Sequence, residues 1–153
     1  MKKNIAIGII ALIGFACSPS QNLNGVKTSY IHPVTGFSKT VTVTAKGITT
    51  IYISGLTAEG TDFETQIRAV FNNIKFELET VGATFKDVVK MNTYIVNINP
   101  DIVNDFRGIR KEILGEKDMP ASTIIGIPAL AAKDRLIEIE AIAVIAVKKQ
   151  KSK

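Results

Sequence analysis

Two runs of alternating β-branched and polar residues place the strongest constraint on how this chain folds. Phe37 to Ala45 (FSKTVTVTA) alternates Val and Thr, and Ile48 to Ser54 (ITTIYIS) continues the pattern after Lys46-Gly47. Successive side chains of a strand point to opposite faces of a sheet, so this alternation predicts two strands. The Lys-Gly pair between them predicts a tight turn, and the domain is expected to open with an antiparallel hairpin.

Two amphipathic helices are predicted farther along the chain. Thr61 and Glu64 have the spacing of a capping box, and apolar residues recur at helical spacing from Phe63 to Val81 before a Gly. Asn99-Pro100 marks the start of a second helix, which runs through Leu114. Its apolar stripe consists of Ile102, Phe106, Ile109 and Ile113. Each helix has one apolar stripe, so we expect both to cover the same face of the sheet.

Three further strands complete the predicted order β-β-α-β-α-β-β. They are Val88 to Ile98, Ser122 to Ile127 and Leu136 to Val147. This order predicts an α+β two-layer sandwich, with one domain over residues 36–147 and a basic tail at 148–153. One face of the sheet then has no helix to cover its apolar residues, which favours an oligomer.

The N-terminal residues are typical of an export signal. Lys2 and Lys3 precede an uncharged run from Ile5 to Ala16, and Cys17 follows directly. Residues 1–16 resemble the signal of a bacterial lipoprotein, which implies lipidation of Cys17 and a linker over residues 17–35. We therefore expect an exported protein of the cell envelope that contacts the membrane only through a lipid anchor. Ordinary secretion with cleavage nearby and an uncleaved anchor are the alternatives.

Composition excludes several kinds of chemistry. Cys17 is the sole cysteine and His32, expected to be exposed in the linker, the sole histidine. No metal site and no Cys/His nucleophile is therefore expected, and no glycine-rich phosphate loop indicates a cofactor. The net charge of +5 is concentrated in terminal lysines. A basic tail is able to bind nucleic acid or anionic lipid, but no aromatic residues interleave with these lysines, which favours a solvated end and no nucleic-acid partner.

Three segments resemble one known family. They are Ile51 to Gly55 (IYISG), Pro120 to Thr123 (PAST) and Ile137 to Val144 (IEIEAIAV). Val81-Gly82-Ala83 and Asp87 to Lys90 lie between them in the expected order. The chain resembles the Rid family, also called YjgF or endoribonuclease L-PSP-like. The resemblance implies a chorismate-mutase-like fold and a homotrimer with a central barrel and three clefts between subunits.

The resemblance also implies a cleft chemistry. Family members with the full motif hydrolyse reactive enamines and imines to 2-keto acids and ammonia. This chemistry needs a cation for the substrate carboxylate and an acidic group that positions water and a proton. By resemblance Glu140 is the catalytic carboxylate, and the ligand-binding positions are Phe37, Ser54, Gly55, Asn104, Ser122 and Thr123.

Two of these positions depart from the family pattern. Ser122 replaces the arginine that follows Pro-Ala, and Phe37 replaces a tyrosine. Loss of the cation would cost about 2–4 kcal/mol in holding a desolvated carboxylate. We therefore expect binding of a small metabolite that is mostly uncharged or bears a carbonyl, with weak or altered imine hydrolysis. Rescue by Arg107 or Arg110 is the alternative.

Other interpretations of the same residues stay open. Glu140 is either a cleft residue or a structural partner in an ion pair or subunit interface, and Glu138 is interpreted as structural. Ser54 is either a cleft hydroxyl or an ordinary residue at a strand end. A non-catalytic ligand-binding or interaction protein on the same trimeric scaffold is the alternative function. A nuclease ranks third, because the body of the chain has no basic stripe.

Overall fold

The computed structural model describes residues 21–23 and 25–147. The predictions for residues 1–16, Cys17 and the tail at 148–153 lie outside this part of the chain. The elements in chain order are β1 (Gln21–Leu23), β2 (Val26–Val34), β3 (Phe37–Ala45), β4 (Ile48–Leu56), α1 (Phe63–Thr80), a single 3-10 turn (Phe85–Asp87), β5 (Val88–Val96), α2 (Pro100–Leu114), β6 (Ala121–Ile127) and β7 (Ile137–Ala146).

All seven strands form one sheet in the order β1-β2-β3-β4-β7-β5-β6. Neighbouring strands are antiparallel except β5 and β6, which are parallel because α2 connects them as a crossover. The last strand, β7, inserts between β4 and β5. The strand β7 therefore occupies the middle of the sheet, while β6 lies at an edge.

Both helices pack on one face of the sheet, as predicted. Ile51 and Ile139 of the sheet are fully buried against Ile67 and Phe71 of α1. The Phe106 ring of α2 stacks on Phe71, with 6.4 Å between the ring centroids. The α+β two-layer fold is confirmed. Among the residues described, no helix is both long and apolar enough to cross a membrane.

Both helices begin with a side-chain cap, as expected, but the cap of α1 is one residue later than predicted. The side chain of Asp62, rather than that of Thr61, accepts a hydrogen bond from the Thr65 backbone N–H at 2.8 Å. Thr61 instead donates to Asp62, so the predicted capping box of Thr61 and Glu64 is wrong by one residue. In α2, Asn99 accepts from the Ile102 N–H at 3.0 Å, with Pro100 in the first turn as predicted.

The predicted linker is wrong for residues 26–34. These residues form β2, which pairs with β3 from Val26 opposite Ala45 to Val34 opposite Phe37. His32-Pro33 interrupts the alternation because His32 has left-handed backbone geometry (φ 48°), and this break concealed the strand in the sequence.

His32 is also less exposed than predicted. Its side chain is 23% exposed, and its Nδ1 lies 2.9 Å from Oε2 of Glu77, a buried residue of α1. Thr40 of β3 donates to the same oxygen at 2.8 Å, and the His32 ring stacks on Phe76. A buried carboxylate is costly unless it is paired, so these contacts satisfy Glu77 and attach β2 to α1.

The opposite face of the sheet, here called the open face, is not covered by either helix. Its side chains include Val41, Tyr52 and Ile142, which lie in one row across β3, β4 and β7. Tyr52 is 46% exposed and Val144 of β7 is 37% exposed. This arrangement confirms that one face of the sheet keeps apolar side chains without a helical partner.

Candidate functional site

A cavity of about 260 Å³ lies on the open face where β3, β4, β7 and β5 run side by side. It contains two of the residues expected in the cleft, Ser54 and Glu140. The full lining consists of Val41, Tyr52, Ile53, Ser54, Lys90, Asn92, Glu140, Ala141 and Ile142. The cavity therefore has apolar walls and a small group of polar side chains, which is the usual composition of a small-molecule site.

Glu140 is held in a fixed orientation inside this cavity. Asn92 lies directly opposite it on β5, and the Asn92 amide donates to Glu140 Oε1 at 2.6 Å. The Tyr94 hydroxyl donates a longer hydrogen bond of 3.5 Å to the same oxygen. Within the described chain, Oε2 receives no hydrogen bond, so it has acceptor capacity for a water or a ligand.

Ser54 lies at an irregularity in β4. The register between β4 and β7 shifts between Ile53 and Leu56, so the strand bulges at Ser54-Gly55. The Ser54 hydroxyl donates to the Ser38 carbonyl at 2.8 Å. With its proton committed to the backbone, the Ser54 oxygen faces the cavity as a hydrogen-bond acceptor.

Glu138 lies closer to the predicted site than the sequence suggested. A Cβ atom at Gly55 would collide with the Glu138 carboxylate, so the absence of a side chain at Gly55 is what lets Glu138 lie in its present position beside the bulge. Burial, followed by the negative charge of Glu140, raises the pKa of Glu138. The two carboxylates project from the same face of β7, and the expectation that Glu138 is merely structural misses its contact with Gly55.

Burial and carboxylate charge also affect Tyr94. Burial is the main reason that the pKa of Tyr94 is raised, and the charges of Glu140 and Glu138 add to it. The phenol therefore remains protonated and keeps its role as a donor to Glu140. Tyr94 and Asn92 were not predicted as site residues, although their side chains point to the same face of β5.

Lys90 was also missed. It stands opposite Ile142, its side chain is exposed, and it lines the cavity two residues before Asn92. It supplies a positive charge in the cavity itself. The alternation of side chains along β5 could have suggested that Lys90 faces the same side as Asn92. Only the pairing of β5 with β7, however, puts Lys90 beside Glu140.

The remaining predicted positions fall in three places. Thr123 of β6 pairs with Asn92, which extends the row of polar residues from Glu140 across β5. Phe37, 53% exposed, precedes Ser38, whose carbonyl accepts the Ser54 hydrogen bond. Asn104 lines a separate groove between α1 and α2, so a single chain does not bring it to the cavity.

Ser122 makes a contact that the sequence did not reveal. Its hydroxyl accepts a hydrogen bond of 2.7 Å from Nη1 of Arg110, a residue of α2. Ser122 pairs with Met91, which is buried under the helices, so it lies on the helix side of the edge strand β6. The position that lacks an arginine side chain of its own is therefore in contact with one from another element.

The fold and the cavity together define a class of protein. It is a small α+β sandwich with a ligand-sized cavity on an uncovered sheet face. One carboxylate, that of Glu140, lines the cavity, and that of Glu138 projects from the same face of β7. In the part of the chain that the structure describes, no group of three or more His, Cys, Asp or Glu side chains is arranged to hold a metal ion.

Comparison with known proteins identifies the family. The family model described as Endoribonuclease L-PSP matches residues 27–145, so the chain belongs to this family, the Rid or YjgF family. A RutC family protein of Pyrococcus abyssi is 39% identical over 85 residues, which cover 54% of this chain and 61% of that protein. A 2-iminobutanoate/2-iminopropanoate deaminase of Dermatophagoides farinae is 36% identical over 81 residues, 52% of this chain and 59% of that protein. The chain thus spans about three-fifths of the length of these relatives.

Solved structures give the same result. A Rid family protein of unknown function from Yersinia pestis is 32% identical, with a TM-score of 0.61 over 77% of this chain and 98% of that chain. A YjgF family member from Neisseria meningitidis, at 19% identity and a TM-score of 0.68, shares the fold over 83% of this chain and 100% of that one. The family expected from the sequence is confirmed.

Replacement of Glu138 by Gln should change how stability depends on pH. Because its pKa is raised in the folded protein, Glu138 contributes most favourably below the ordinary glutamate pKa of about 4.3. That contribution is lost as the pH rises through the higher folded pKa. Urea denaturation should therefore show Glu138→Gln gaining stability over the wild type as the pH rises. Glu79→Gln, at an exposed position on α1, should show no such trend, and a pH-independent difference for Glu138→Gln would contradict the assignment.

Proposed function

We propose that the open-face cavity binds a small metabolite with a carbonyl or imine group, and that Glu140 positions the water that hydrolyses its C=N bond. The observation that carries this proposal is the geometry of Glu140. Asn92 fixes one carboxylate oxygen at 2.6 Å, and the other remains available in the same cavity as Ser54. A positioned carboxylate of this kind is suited to general acid–base catalysis.

The proposed reaction balances without a cofactor. Glu140 Oε2 accepts a proton from water as the water oxygen bonds to the imine carbon. The same proton is delivered to the nitrogen, which gives a carbinolamine. Glu140 then takes the proton of the new hydroxyl group and transfers it to the amine as the C–N bond breaks, so ammonia leaves and a carbonyl group remains. Ser54 accepts from the substrate N–H, and the Lys90 ammonium donates to the oxygen that develops at the former imine carbon.

The name of one relative supports the reaction class. The relative from Dermatophagoides farinae bears the name of a deaminase of 2-imino acids, and its matched region is 36% identical to this chain. Ser122 departs from the arginine that the family resemblance implies at this position. We therefore propose an altered imine hydrolase in an arginine-lacking branch, with substrate preferences of its own.

Substitution of Glu140 provides the test of catalysis. Glu140→Gln keeps the hydrogen bond from Asn92 but removes the proton acceptor, so release of ammonia from freshly generated imines should fall about 10²–10⁴-fold. Glu79→Gln makes the same chemical change on the outer surface of α1 and should retain wild-type activity. Wild-type protein that binds carbonyl compounds without releasing ammonia would instead favour the non-catalytic binding protein.

We also propose that the chain assembles as a homotrimer through the open face. Exposed apolar side chains on this face, including Tyr52 and Val144, lack a covering element within one chain. Burial of such surface contributes about 25 cal/mol per Å². The trimer would place clefts between neighbouring subunits, as the family resemblance implies.

Light scattering should give about three times the monomer mass for the wild type. Val144→Glu places a charge on the open face and should lower that mass, because the carboxylate would have to be buried at the interface. Asn72→Glu adds the same charge on the outer surface of α1 and should leave the trimer intact. A wild-type monomer at micromolar concentration would refute the assembly.

Export with lipidation at Cys17 is a further proposal, supported by the apolar run that ends at Ala16. Lipidation predicts that radiolabelled palmitate enters the wild-type protein in bacteria, and that the label is lost in Cys17→Ala. Cys17→Ser keeps a polar side chain of similar size and should also lack the label. Equal labelling of wild type and variants would show that Cys17 is not the acceptor.

A further inference from the structure

One end of the sheet is formed where β2 and β4 begin and where β3 and β7 end. Four residues are successive partners across these strands, namely Val26, Ala45, Ile48 and Ala146. The Val147 N–H donates to the Gly47 carbonyl at 2.9 Å, so the chain leaves β7 beside the turn between β3 and β4. This region, here called the basic end, consists of Val26, Lys27, Lys46, Ile48, Val147 and the tail at 148–153.

The basic end exposes apolar side chains. Ile48 is 51% exposed, Val147 is 45% exposed, and Val26 is exposed as well. They adjoin one another across the strand ends, whereas apolar residues that are scattered singly over a surface need no explanation. They also lie beyond the row that contains Thr50 and Val144, at the point where the strands stop. Assembly through the open face leaves this point accessible along the strand direction, so it does not account for the exposure.

Lysines surround these apolar side chains. Lys27 and Lys46 are exposed, and the tail that follows Val147 contains Lys148, Lys149, Lys151 and Lys153. Among the residues described, Lys75 and Lys111 pair with glutamates, but Lys27 and Lys46 form no ion pair. The basic end therefore combines an apolar row with uncompensated positive charge.

Negative charge is concentrated at the opposite ends of the strands. The segments that follow β4, β5 and β6 contain four acidic residues there, namely Glu59, Asp62, Asp101 and Asp134. One of the two basic residues in these segments, Arg135, pairs with Glu59. The loops that precede β5 and β6 lie on the same side of the sheet as the basic end, and their acidic and basic residues nearly balance. An anionic surface would therefore attract the basic end and repel the opposite one.

We infer that the basic end docks on an anionic phospholipid membrane, with Val26, Ile48 and Val147 in the headgroup region and the lysines against lipid phosphates. An apolar row flanked by lysines matches a membrane interface, which accepts apolar side chains and attracts positive charge. The inference goes beyond the proposed function and does not rest on it. It revises the expectations of a solvated tail and of membrane contact through a lipid anchor alone.

The composition of the basic end favours a membrane over a nucleic acid. Proteins that bind single strands stack bases on aromatic side chains, and the basic end contains none. Aliphatic side chains such as those of Ile48 and Val147 gain nothing from a phosphate backbone. In a lipid headgroup region the same side chains leave water while the lysines keep their contacts with phosphate.

The position of β1 is compatible with this orientation. Leu23 of β1 pairs with Val26 of the basic end. Cys17 precedes Gln21, the first residue of β1, by four positions, which an extended chain spans in about 14 Å at most. Any attachment of Cys17 to a lipid would therefore keep this part of the domain close to the bilayer, although the docking does not require it.

A tryptophan reporter tests the docking directly, because the chain has no tryptophan of its own. Ile48→Trp in the full-length protein should shift its emission to shorter wavelength with vesicles of phosphatidylglycerol and phosphatidylcholine, and brominated lipids should quench it. Vesicles of phosphatidylcholine alone should give neither effect. Val147→Trp is a second reporter at the same end. Val34→Trp, exposed at the far end of β2, is the matched control and should not respond.

The charge dependence is tested with the same reporter. Lys46→Gln and Lys148→Gln should each lower the docking equilibrium constant about fivefold, which corresponds to about 1 kcal/mol per lysine near an anionic surface. Lys133→Gln, at the opposite end of the sheet, should leave it unchanged. Raising the ionic strength from about 0.1 M to 1 M shortens the screening length from about 10 Å to about 3 Å and should release the reporter.

Several results would overturn the inference. These are no response of either reporter to anionic vesicles, an equal response to phosphatidylcholine alone or by Val34→Trp, and docking that persists in Lys46→Gln and in high salt. A lower mass of Ile48→Glu in light scattering would assign the apolar row to a subunit interface instead. A stronger response to a single-stranded oligonucleotide than to vesicles would make nucleic acid the partner. None of these results depends on whether Glu140 is catalytic or Cys17 carries lipid.

Discussion

The structure depends on a single constraint, which is that two helices cover only one face of a seven-stranded sheet. Strand residues that point toward α1 and α2 form the core, and Ile51, Ile137 and Ile139 are fully buried there. The period of two in a strand then sends the intervening residues to the open face. The apolar surface, the cavity and both carboxylates of β7 lie on that face because of this alternation, and the same face is available for assembly.

A polar site on such a surface needs local support. Asn92 and Tyr94 from β5 donate to Glu140, and the bulge at Ser54-Gly55 in β4 makes room for Glu138. These supports come from the two strands that flank β7, the last strand of the chain. Insertion of β7 into the middle of the sheet is therefore what assembles the site, because it brings residues distant in sequence within hydrogen-bond range.

The contact between Arg110 and Ser122 shows that a strand motif does not report the side chains which other elements bring to it. Position 122 carries no charge, yet a guanidinium lies 2.7 Å from its hydroxyl. The helix supplies the cation because α2 crosses from β5 to β6 and passes over the start of β6. A motif in one strand describes the side chains of that strand alone. The groups present at Ser122 also include the side chain that α2 brings there.

The sequence by itself determined the elements whose signals are local. Period-two and helical patterns located β3 to β7 and both helices within a few residues, and the family segments identified the fold. They also predicted a cleft that contains Ser54 and Glu140, two residues that line one cavity in the structure. Local signals failed where the backbone departs from its regular form, as at His32 in β2 and at the Asp62 cap. Only the tertiary structure decided that Lys90, Asn92 and Glu138 adjoin the predicted cleft residues, and that Arg110 reaches Ser122. These contacts depend on the register between strands and on how α2 crosses β6, which are set by packing between distant parts of the chain and leave no pattern in any one segment.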